Sequence, residues 1–471
     1  MPTAVQITGA LIPPGGAFGP IEYGSTLYVI ALTTLAEEQD ENSVLGIFRS
    51  LDGGETWSQT GSTITIPSAE EVGGIHGSIA TGDPEYLHGC FDVDYPTEPY
   101  TYIAHSGLSG GVGCVFVTRF DASAGDFDTT SAAGPEIPIA GSLGNHDFLG
   151  WMIAQSSERD FGVLANLNSS GSDINLVYAM SLSEDLGSWS SRAVVPGQAD
   201  GAFSAAGIVR GAGGRVHGLI EKQGYGLEDS DFTVYHTVVI GGGGGVGGAL
   251  QVITTMTDNE SIITGPKIFE SPYTGGYLSG EVLFVFALPP EGIGAEYNLV
   301  AAHGGSEDEP IWDILSIDET ANAENSYWAG VGSSASTVEV AFNINNTFDS
   351  VMVSSYDGSE WGAAVEATDG VGPFWIVCNR IAAGLGITFG NGDYDVYFVI
   401  LGGGGATIVG SAGIPSEEAF GKTHGIFGGG GDGETCGTAV PVPSEESCNS
   451  IPVDNRYPGD QDSCPTAGYS Y

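Results

Sequence analysis

Carboxylate side chains are the most abundant reactive groups in this chain. It contains 59 Asp and Glu residues against 11 Lys and Arg, which gives a formal net charge of −48 at pH 7. Two carboxyl groups at a suitable separation can hydrolyse a glycosidic bond, and acidic residues two positions apart can bind calcium through their oxygens. The alternative for such acidic clusters is a solvated loop, and no cofactor other than calcium is expected. The candidate calcium ligands are Asp92, Asp94, Asp393 and Asp395.

Cysteine and serine chemistry is less well supported by the sequence. None of the six cysteines has zinc-ligand spacing, and the sequence has no His-Glu-x-x-His motif. We therefore predict no catalytic residues. Disulfides are one interpretation of the cysteines and free buried thiols are the other, with Cys90 and Cys114 flanking a predicted hairpin. The candidate disulfide residues are Cys90, Cys114, Cys436, Cys448 and Cys464.

The net charge limits the binding partners. A surface with so many carboxylates repels nucleic acid phosphates, anionic membranes and anionic polymers. No stretch has the length and apolarity of a transmembrane segment, so neither nucleic acid binding nor membrane insertion is expected. The first residues lack the basic and apolar regions of a secretion signal. A protein made in a host cytoplasm and released in a virus particle fits this combination.

The candidate side chains named above must be positioned by short runs of β-branched and aromatic residues. They recur along the chain, as at residues 26–32 and 174–180, and each ends at Gly, Asp, Asn or Pro. More than a dozen such strands predict an all-β fold built by radial repetition of small sheets, which is a six- or seven-bladed β-propeller over residues 1–410. Residues 411–471 are predicted to form a connector and a Gly-, Pro- and Cys-rich C-terminal tail for attachment or oligomerisation.

A turn motif follows the predicted strand 44–49. It reads Ser50-x-Asp52-x-Gly54-x-Thr56-Trp57, where the Asp side chain can accept hydrogen bonds from turn amides and the Trp can cap the turn. Two degenerate copies follow later strands, at distances of about two and three blades. The residues of the copies are Ser183, Asp185, Gly187 and Trp189, and then Ser355, Asp357 and Trp361.

These motifs resemble the Asp-box, or BNR repeat, of sialidase-like β-propellers. The resemblance implies that the boxes are structural turns at the rim and not the active site. A sialidase would also need an arginine cluster to bind the substrate carboxylate. The chain has eight arginines and lacks the family's arginine element near the N-terminus, so sialidase activity is not expected.

A nine-residue segment, 413–421, resembles a short motif of bacteriophage tail and fibre proteins. The matching residues are Ile414, Ser416, Glu418, Ala419, Phe420 and Gly421. The resemblance implies a non-enzymatic virion structural protein, exposed on the tail, fibre, baseplate or capsid of a bacteriophage. Its expected partners are other virion proteins, further copies of itself in the particle and a host surface glycan. The alternative is a carbohydrate-active hydrolase on an Asp-box propeller.

Overall fold

The described residues contain strands and no helix. The computed structural model of the chain describes residues 4–8, 17–34, 43–66, 88–92, 94–95, 97–109, 112–132, 148–155, 161–168, 174–180, 186–189, 193–194, 202–210, 215–223, 232–240, 251–256, 264–270, 282–288, 298–304, 313–318, 330–333, 338–343, 350–356, 360–368, 375–390, 395–401, 422–424 and 427–429. The prediction of an all-β fold is confirmed. Within these ranges, no helix has the length and apolarity to cross a membrane.

The first four sheets along the chain each contain four consecutive antiparallel strands, in which strands that neighbour one another in sequence pair with each other. The strands of the first two sheets are β2 (Ala17–Tyr23), β3 (Thr26–Thr34), β4 (Ser43–Ser50) and β5 (Ser58–Ile66), then β6 (His88–Phe91), β7 (Tyr100–Ser109), β8 (Val112–Asp121) and β9 (Asp126–Ala132). Those of the third and fourth sheets are β10 (Phe148–Gln155), β11 (Phe161–Asn168), β12 (Ile174–Met180) and β13 (Ala193–Val194), then β14 (Ala202–Arg210), β15 (Val216–Gln223), β16 (Phe232–Ile240) and β17 (Gln251–Met256).

Three further four-stranded sheets follow, which makes seven within the described ranges. The fifth and sixth consist of β18 (Thr264–Glu270), β19 (Val282–Leu288), β20 (Asn298–Gly304) and β21 (Asp313–Asp318), then β22 (Gly330–Ser333), β23 (Val338–Asn343), β24 (Val351–Tyr356) and β25 (Val365–Glu366). The seventh combines β26 (Trp375–Ile381), β27 (Gly384–Gly390) and β28 (Val396–Leu401) with the first strand of the chain, β1 (Val5–Thr8).

The seventh sheet connects the beginning of the chain to its later part. Strand β1 pairs antiparallel with β28, and Val5 lies opposite Phe398. The first strands of neighbouring sheets contact each other at β2–β6, β6–β10, β10–β14, β14–β18, β22–β26 and β26–β2. The contact between β26 and β2 places the last four-stranded sheet beside the first.

The strand order determines which turns share an edge. In a four-stranded antiparallel sheet, the turn between the first and second strands lies at the same edge as the turn between the third and fourth. In the first sheet these are residues 24–25 and 51–57. We call this edge of each sheet the first-turn edge. The core beneath it includes Ile21, Phe120 and Phe398, each at most 1% exposed.

The later part of the chain is described only at one short hairpin, β29 (Lys422–His424) with β30 (Phe427–Gly429). The chain divides into two compact units, Met1–Gly430 and Gly431–Tyr471. The second unit lies outside the described residues, as do residues 411–421. The predicted boundary near residue 410 and the predicted tail remain predictions.

Candidate active site around Glu22

Glu22 is a buried carboxyl group near the end of an otherwise apolar strand. The preceding residues of β2 are all buried, and Glu22 itself is 7% exposed. Its Oε2 accepts a hydrogen bond of 2.7 Å from the backbone N–H of Ala382, in the turn between β26 and β27. Burial raises the pKa of Glu22 to about 7, and the bond from Ala382 offsets only part of this effect. The carboxyl group therefore keeps its proton well above the pH at which an exposed glutamate ionises.

Tyr95, from the turn between β6 and β7, holds the backbone at Glu22. The backbone N–H of Glu22 donates to the Tyr95 hydroxyl at 2.8 Å, and that hydroxyl donates to the backbone carbonyl of Glu22. The Tyr95 ring is 3% exposed and packs at 4.6 Å from the ring of Phe91. Tyr95 thus links the first and second sheets at the first-turn edge.

Asp92 is the second buried carboxyl group at this edge, with 7% exposure. Its Oδ1 accepts the N–H of Asp94 at 2.9 Å, and its Oδ2 accepts the Tyr102 hydroxyl at 2.9 Å and a longer bond from Gln155. Burial, together with the charge of Asp92, raises the pKa of Tyr102, which therefore stays protonated as a donor. Three elements, the β6–β7 turn, β7 and β10, meet at this carboxylate.

The seventh sheet provides the other side of the Glu22 environment. Asn379 on β26 donates from Nδ2 to the carbonyl of Pro20 at 2.9 Å, and its Oδ1 is buried with no partner among the described residues. The neighbouring Arg380 is paired with Glu339 at 3.1 Å. Within the described residues, no charged group contributes to the raised pKa of Glu22.

This arrangement is suited to proton transfer. A carboxyl group with a pKa near the working pH is an effective general acid, because it is protonated before the reaction and can release its proton during it. Oε2 of Glu22 is fixed by Ala382, and Oε1 accepts no hydrogen bond from a described residue. Glu22 can therefore offer a proton from Oε1.

The first predicted turn motif forms a compact hydrogen-bonded turn between β4 and β5. Ser50 Oγ donates to Asp52 Oδ1 at 2.7 Å and accepts the N–H of Gly54 at 2.8 Å. Asp52 Oδ1 also accepts the N–H of Thr56 at 2.9 Å, and the Thr56 hydroxyl donates to Asp52 Oδ2. Trp57 Nε1 donates to the Gly54 carbonyl at 3.1 Å. Every polar residue of this motif bonds within the turn.

The turn also contacts the seventh sheet. The Trp57 and Phe398 rings lie 5.2 Å apart, edge to face. Gly54 has a φ of 97°, and a Cβ there would lie 2.3 Å from the Phe398 ring. Glycine is therefore required at this position both for its backbone conformation and for the close approach.

The two degenerate copies also lie between third and fourth strands, in the third and sixth sheets. In the third sheet, Trp189 Nε1 donates to the Leu186 carbonyl at 2.9 Å, the same three-residue separation as in the first turn. Gly187 lies in this turn, while Ser183 and Asp185 are outside the described residues. In the sixth sheet, Trp361 Nε1 is buried without a partner among the described residues, and its ring packs 5.4 Å from that of Tyr356.

The rest of the sixth-sheet turn is only partly described. The Ser355 carbonyl accepts the N–H of Gly362 at 2.8 Å, and Asp357 is outside the described residues. Gly358, whose carbonyl corresponds to the indole acceptor in the first and third sheets, is also outside the described residues.

The proposed Cys90–Cys114 disulfide is wrong, because Cys90 carries a free thiol. Its position opposite Tyr102 and the position of Cys114 opposite Gly107 explain this, since the two cysteines lie at different levels of the sheet. Cys378, also in the described part, is a free buried thiol. The other cysteines named above, Cys436, Cys448 and Cys464, are outside the described residues, as are the connector residues 414–421.

Calcium binding remains a prediction. Asp92 is buried and hydrogen-bonded to protein donors, while Asp94 is exposed. Asp395 lies directly before β28, and Asp393 is outside the described residues. Within the described ranges, no group of three or more His, Cys, Asp or Glu side chains is placed to hold a metal ion.

Glu22 and Tyr95 did not emerge from the sequence as site residues. One signal was present, because Glu22 is the only charged residue in the apolar run 17–23. A carboxylate in such a run is either at the edge of a strand or buried with a raised pKa. Tyr95 carried no comparable signal, since its partner lies 73 positions earlier in the chain.

Comparison with known proteins identifies the fold. No protein-family model and no curated protein sequence matches the chain. Among solved structures, an ulvan lyase bound to -[GlcA(1-4)Rha3S]- matches with a TM-score of 0.50 and 10% identity, over 85% of this chain and 94% of that one. An α-L-arabinanase of Penicillium chrysogenum gives a TM-score of 0.42 and 14% identity, over 75% and 98%. An α-L-arabinofuranosidase of Fusarium graminearum gives 0.42 and 12%, over 85% and 98%.

The chain therefore has an all-β, propeller-like fold, similar to that of the ulvan lyase. The prediction of a non-enzymatic bacteriophage virion protein is wrong, because the ulvan lyase whose fold this chain resembles is a glycan-processing enzyme. The physical reason is that an acidic surface and a nine-residue segment are compatible with many proteins. The comparison instead favours the alternative prediction, a carbohydrate-active protein.

Proposed function

We propose that this chain is a carbohydrate-active hydrolase in which Glu22 is the proton donor. The observation that carries the proposal is the state of this carboxyl group. It is buried, it has a pKa of about 7 to which no charged group of the described residues contributes, and one of its oxygens accepts no hydrogen bond from a described residue. The propeller-like fold supports the same class of function.

The reaction follows from the chemistry of two carboxyl groups. Glu22 transfers its proton to the glycosidic oxygen as the bond from that oxygen to the anomeric carbon breaks. A water molecule forms the new bond to the anomeric carbon and loses a proton to a carboxylate. Asp92 is the candidate for this second role, because among the described residues it is the other buried carboxyl group at the first-turn edge.

The charge of the chain favours a neutral glycan as substrate. With a net charge of −48, the protein repels polymers that carry uronate or sulfate groups. Elimination by a lyase requires a uronate carboxylate beside the carbon that loses its proton. A neutral glycan lacks this group, so hydrolysis is the reaction that fits both the charge and Glu22.

The fold supports a finer proposal about architecture. We propose that the seven four-stranded sheets are the blades of one propeller, with β1 completing the seventh blade. The turns at Trp57, Trp189 and Trp361 are then structural Asp-box turns of the first, third and sixth blades. The indole hydrogen bonds of Trp57 and Trp189 within their turns support this role.

The test is a hydrolysis screen with the full chain. Neutral polysaccharides, and as a second group uronate-containing and sulfated polysaccharides, are incubated with the protein. Reducing-end release and unsaturated-product absorbance are measured in parallel. We expect reducing ends from at least one neutral glycan, with a loss of at least about 100-fold in Glu22→Gln, since general acid catalysis contributes about 10²–10⁴-fold.

Glu366→Gln is the matched control, because Glu366 is an exposed glutamate on β25, and it should retain full activity. Two results would overturn the proposal. One is an unsaturated product from a uronate polymer, and the other is full activity in Glu22→Gln.

A further inference from the structure

Tyr95 is placed to control the position of the Glu22 carboxyl group. We infer that Tyr95 is a positioning residue of this site, which holds the end of β2 so that the carboxyl group of Glu22 faces Ala382. This inference rests on the proposed function and identifies a residue that acts through Glu22 and not on the substrate.

The contacts that support this role are all to the backbone. The Tyr95 hydroxyl accepts the N–H of Glu22 and donates to its carbonyl, so both backbone groups of one residue bond to one oxygen atom. Beyond Tyr23 the chain turns into β3, and the side chain of Glu22 must reach across to the seventh sheet. The Tyr95 hydroxyl restrains the strand at the residue where that reach begins.

The described residues on either side of Tyr95 in the β6–β7 turn are hydrogen-bonded, which supports the position of Tyr95. The N–H of Tyr95 donates to the Asp92 carbonyl at 3.0 Å, and the Asp92 side chain is bonded to Asp94 and Tyr102. The ring of Tyr95 is buried against Phe91. Burial also raises the pKa of Tyr95, so the hydroxyl keeps the proton that it donates to Glu22.

The test compares Tyr95→Phe with Tyr100→Phe in the full chain. Both variants lose one hydroxyl, but Tyr100 is half-buried at the start of β7 and contacts Arg119 through its ring. On the neutral glycan cleaved by the native protein, we expect Tyr95→Phe to lower kcat by about tenfold or more with KM within twofold. The pH above which kcat falls should decrease in this variant. The reason is that a displaced carboxyl group is better hydrated, which lowers the pKa of Glu22. Tyr100→Phe should leave kcat and its pH dependence unchanged.

A second readout requires no substrate and separates this inference from the proposed function. The unfolding equilibrium constants of the native chain and Glu22→Gln are compared at pH 4 and pH 8. Between pH 4 and pH 8, the ratio of the two proteins' unfolding equilibrium constants should change by roughly 300-fold when Tyr95 is present. In the Tyr95→Phe background, this ratio should change by less than about 30-fold. A reduced change supports positioning by Tyr95 even if no glycan is cleaved, whereas an unreduced change refutes it even in an active hydrolase.

If Tyr95→Phe does not fold, Phe91→Leu provides the second variant. It removes the ring that packs against Tyr95 and keeps the hydroxyl. In the Phe91→Leu background, we then expect the ratio of unfolding constants to change with pH by less than in the native background and by more than is expected for Tyr95→Phe. A change as large as in the native background would overturn the inference.

Discussion

Replacing Glu22 with Gln should alter how the stability of the protein depends on pH. Gln is neutral, has nearly the same shape and can still accept the N–H of Ala382. The native carboxyl group has a pKa of about 7 against 4.5 for an unperturbed glutamate. Below pH 4.5 the group is protonated in both the folded and unfolded states, and its stabilising contribution is complete. Between pH 4.5 and pH 7 the unfolded state loses the proton first, so the native protein loses stability as the pH rises.

The magnitude follows from the size of the pKa difference. About 2.5 pH units, at about 1.4 kcal/mol per unit, correspond to about 3 kcal/mol. The free energy of unfolding of Glu22→Gln minus that of the native chain should therefore rise by about 3 kcal/mol between pH 4 and pH 8. Other carboxylates titrate in both proteins and cancel in the difference.

The assay is urea unfolding of both proteins at constant ionic strength, at several values between pH 4 and pH 8. Glu366→Gln serves as the control, because this exposed side chain should give a difference that does not change with pH. Parallel curves for the native chain and Glu22→Gln would refute the argument that Glu22 is buried without a cation.

Two further predictions concern the turn between β4 and β5. Gly54→Ala should destabilise the protein by about 1–3 kcal/mol, because the added Cβ would clash with Phe398 and require a strained backbone; an unchanged Tm by calorimetry would contradict this contact. Asp52→Ala should cost about 1–2 kcal/mol, since it removes acceptors for the N–H and hydroxyl of Thr56. Desolvation by burial is the largest single contribution and raises the pKa of Asp52, but the hydrogen bonds from Thr56, Ser50 and the Asp52 N–H together outweigh it and lower the pKa. The effect should therefore be smaller in acid, and equal destabilisation at pH 3 and pH 7 would argue against it.

The secondary structure followed from local patterns in the sequence. The apolar run 26–32 became β3, and the run 174–180 became β12, because alternation and turn residues act within a few positions of the chain. The turn at Asp52 was similarly local, since its donors and acceptors lie within eight residues.

The candidate site depends on contacts that no local pattern encodes. Glu22 meets Ala382 across 360 positions and Tyr95 across 73. Its raised pKa is a consequence of burial by other sheets, so the same glutamate in an open strand would be unremarkable. The disulfide prediction was wrong for a related reason, because the register of the second sheet, and not the number of residues between Cys90 and Cys114, determines whether they meet.

The pH dependence of kcat/KM on a cleaved neutral glycan tests the role of Glu22 as proton donor most directly. We predict that kcat/KM falls above an apparent pKa of about 7 and that this decrease is absent from the residual activity of Glu22→Gln. A profile that stays flat through pH 7, or an identical decrease in Glu22→Gln, would show that the catalytic proton comes from another group.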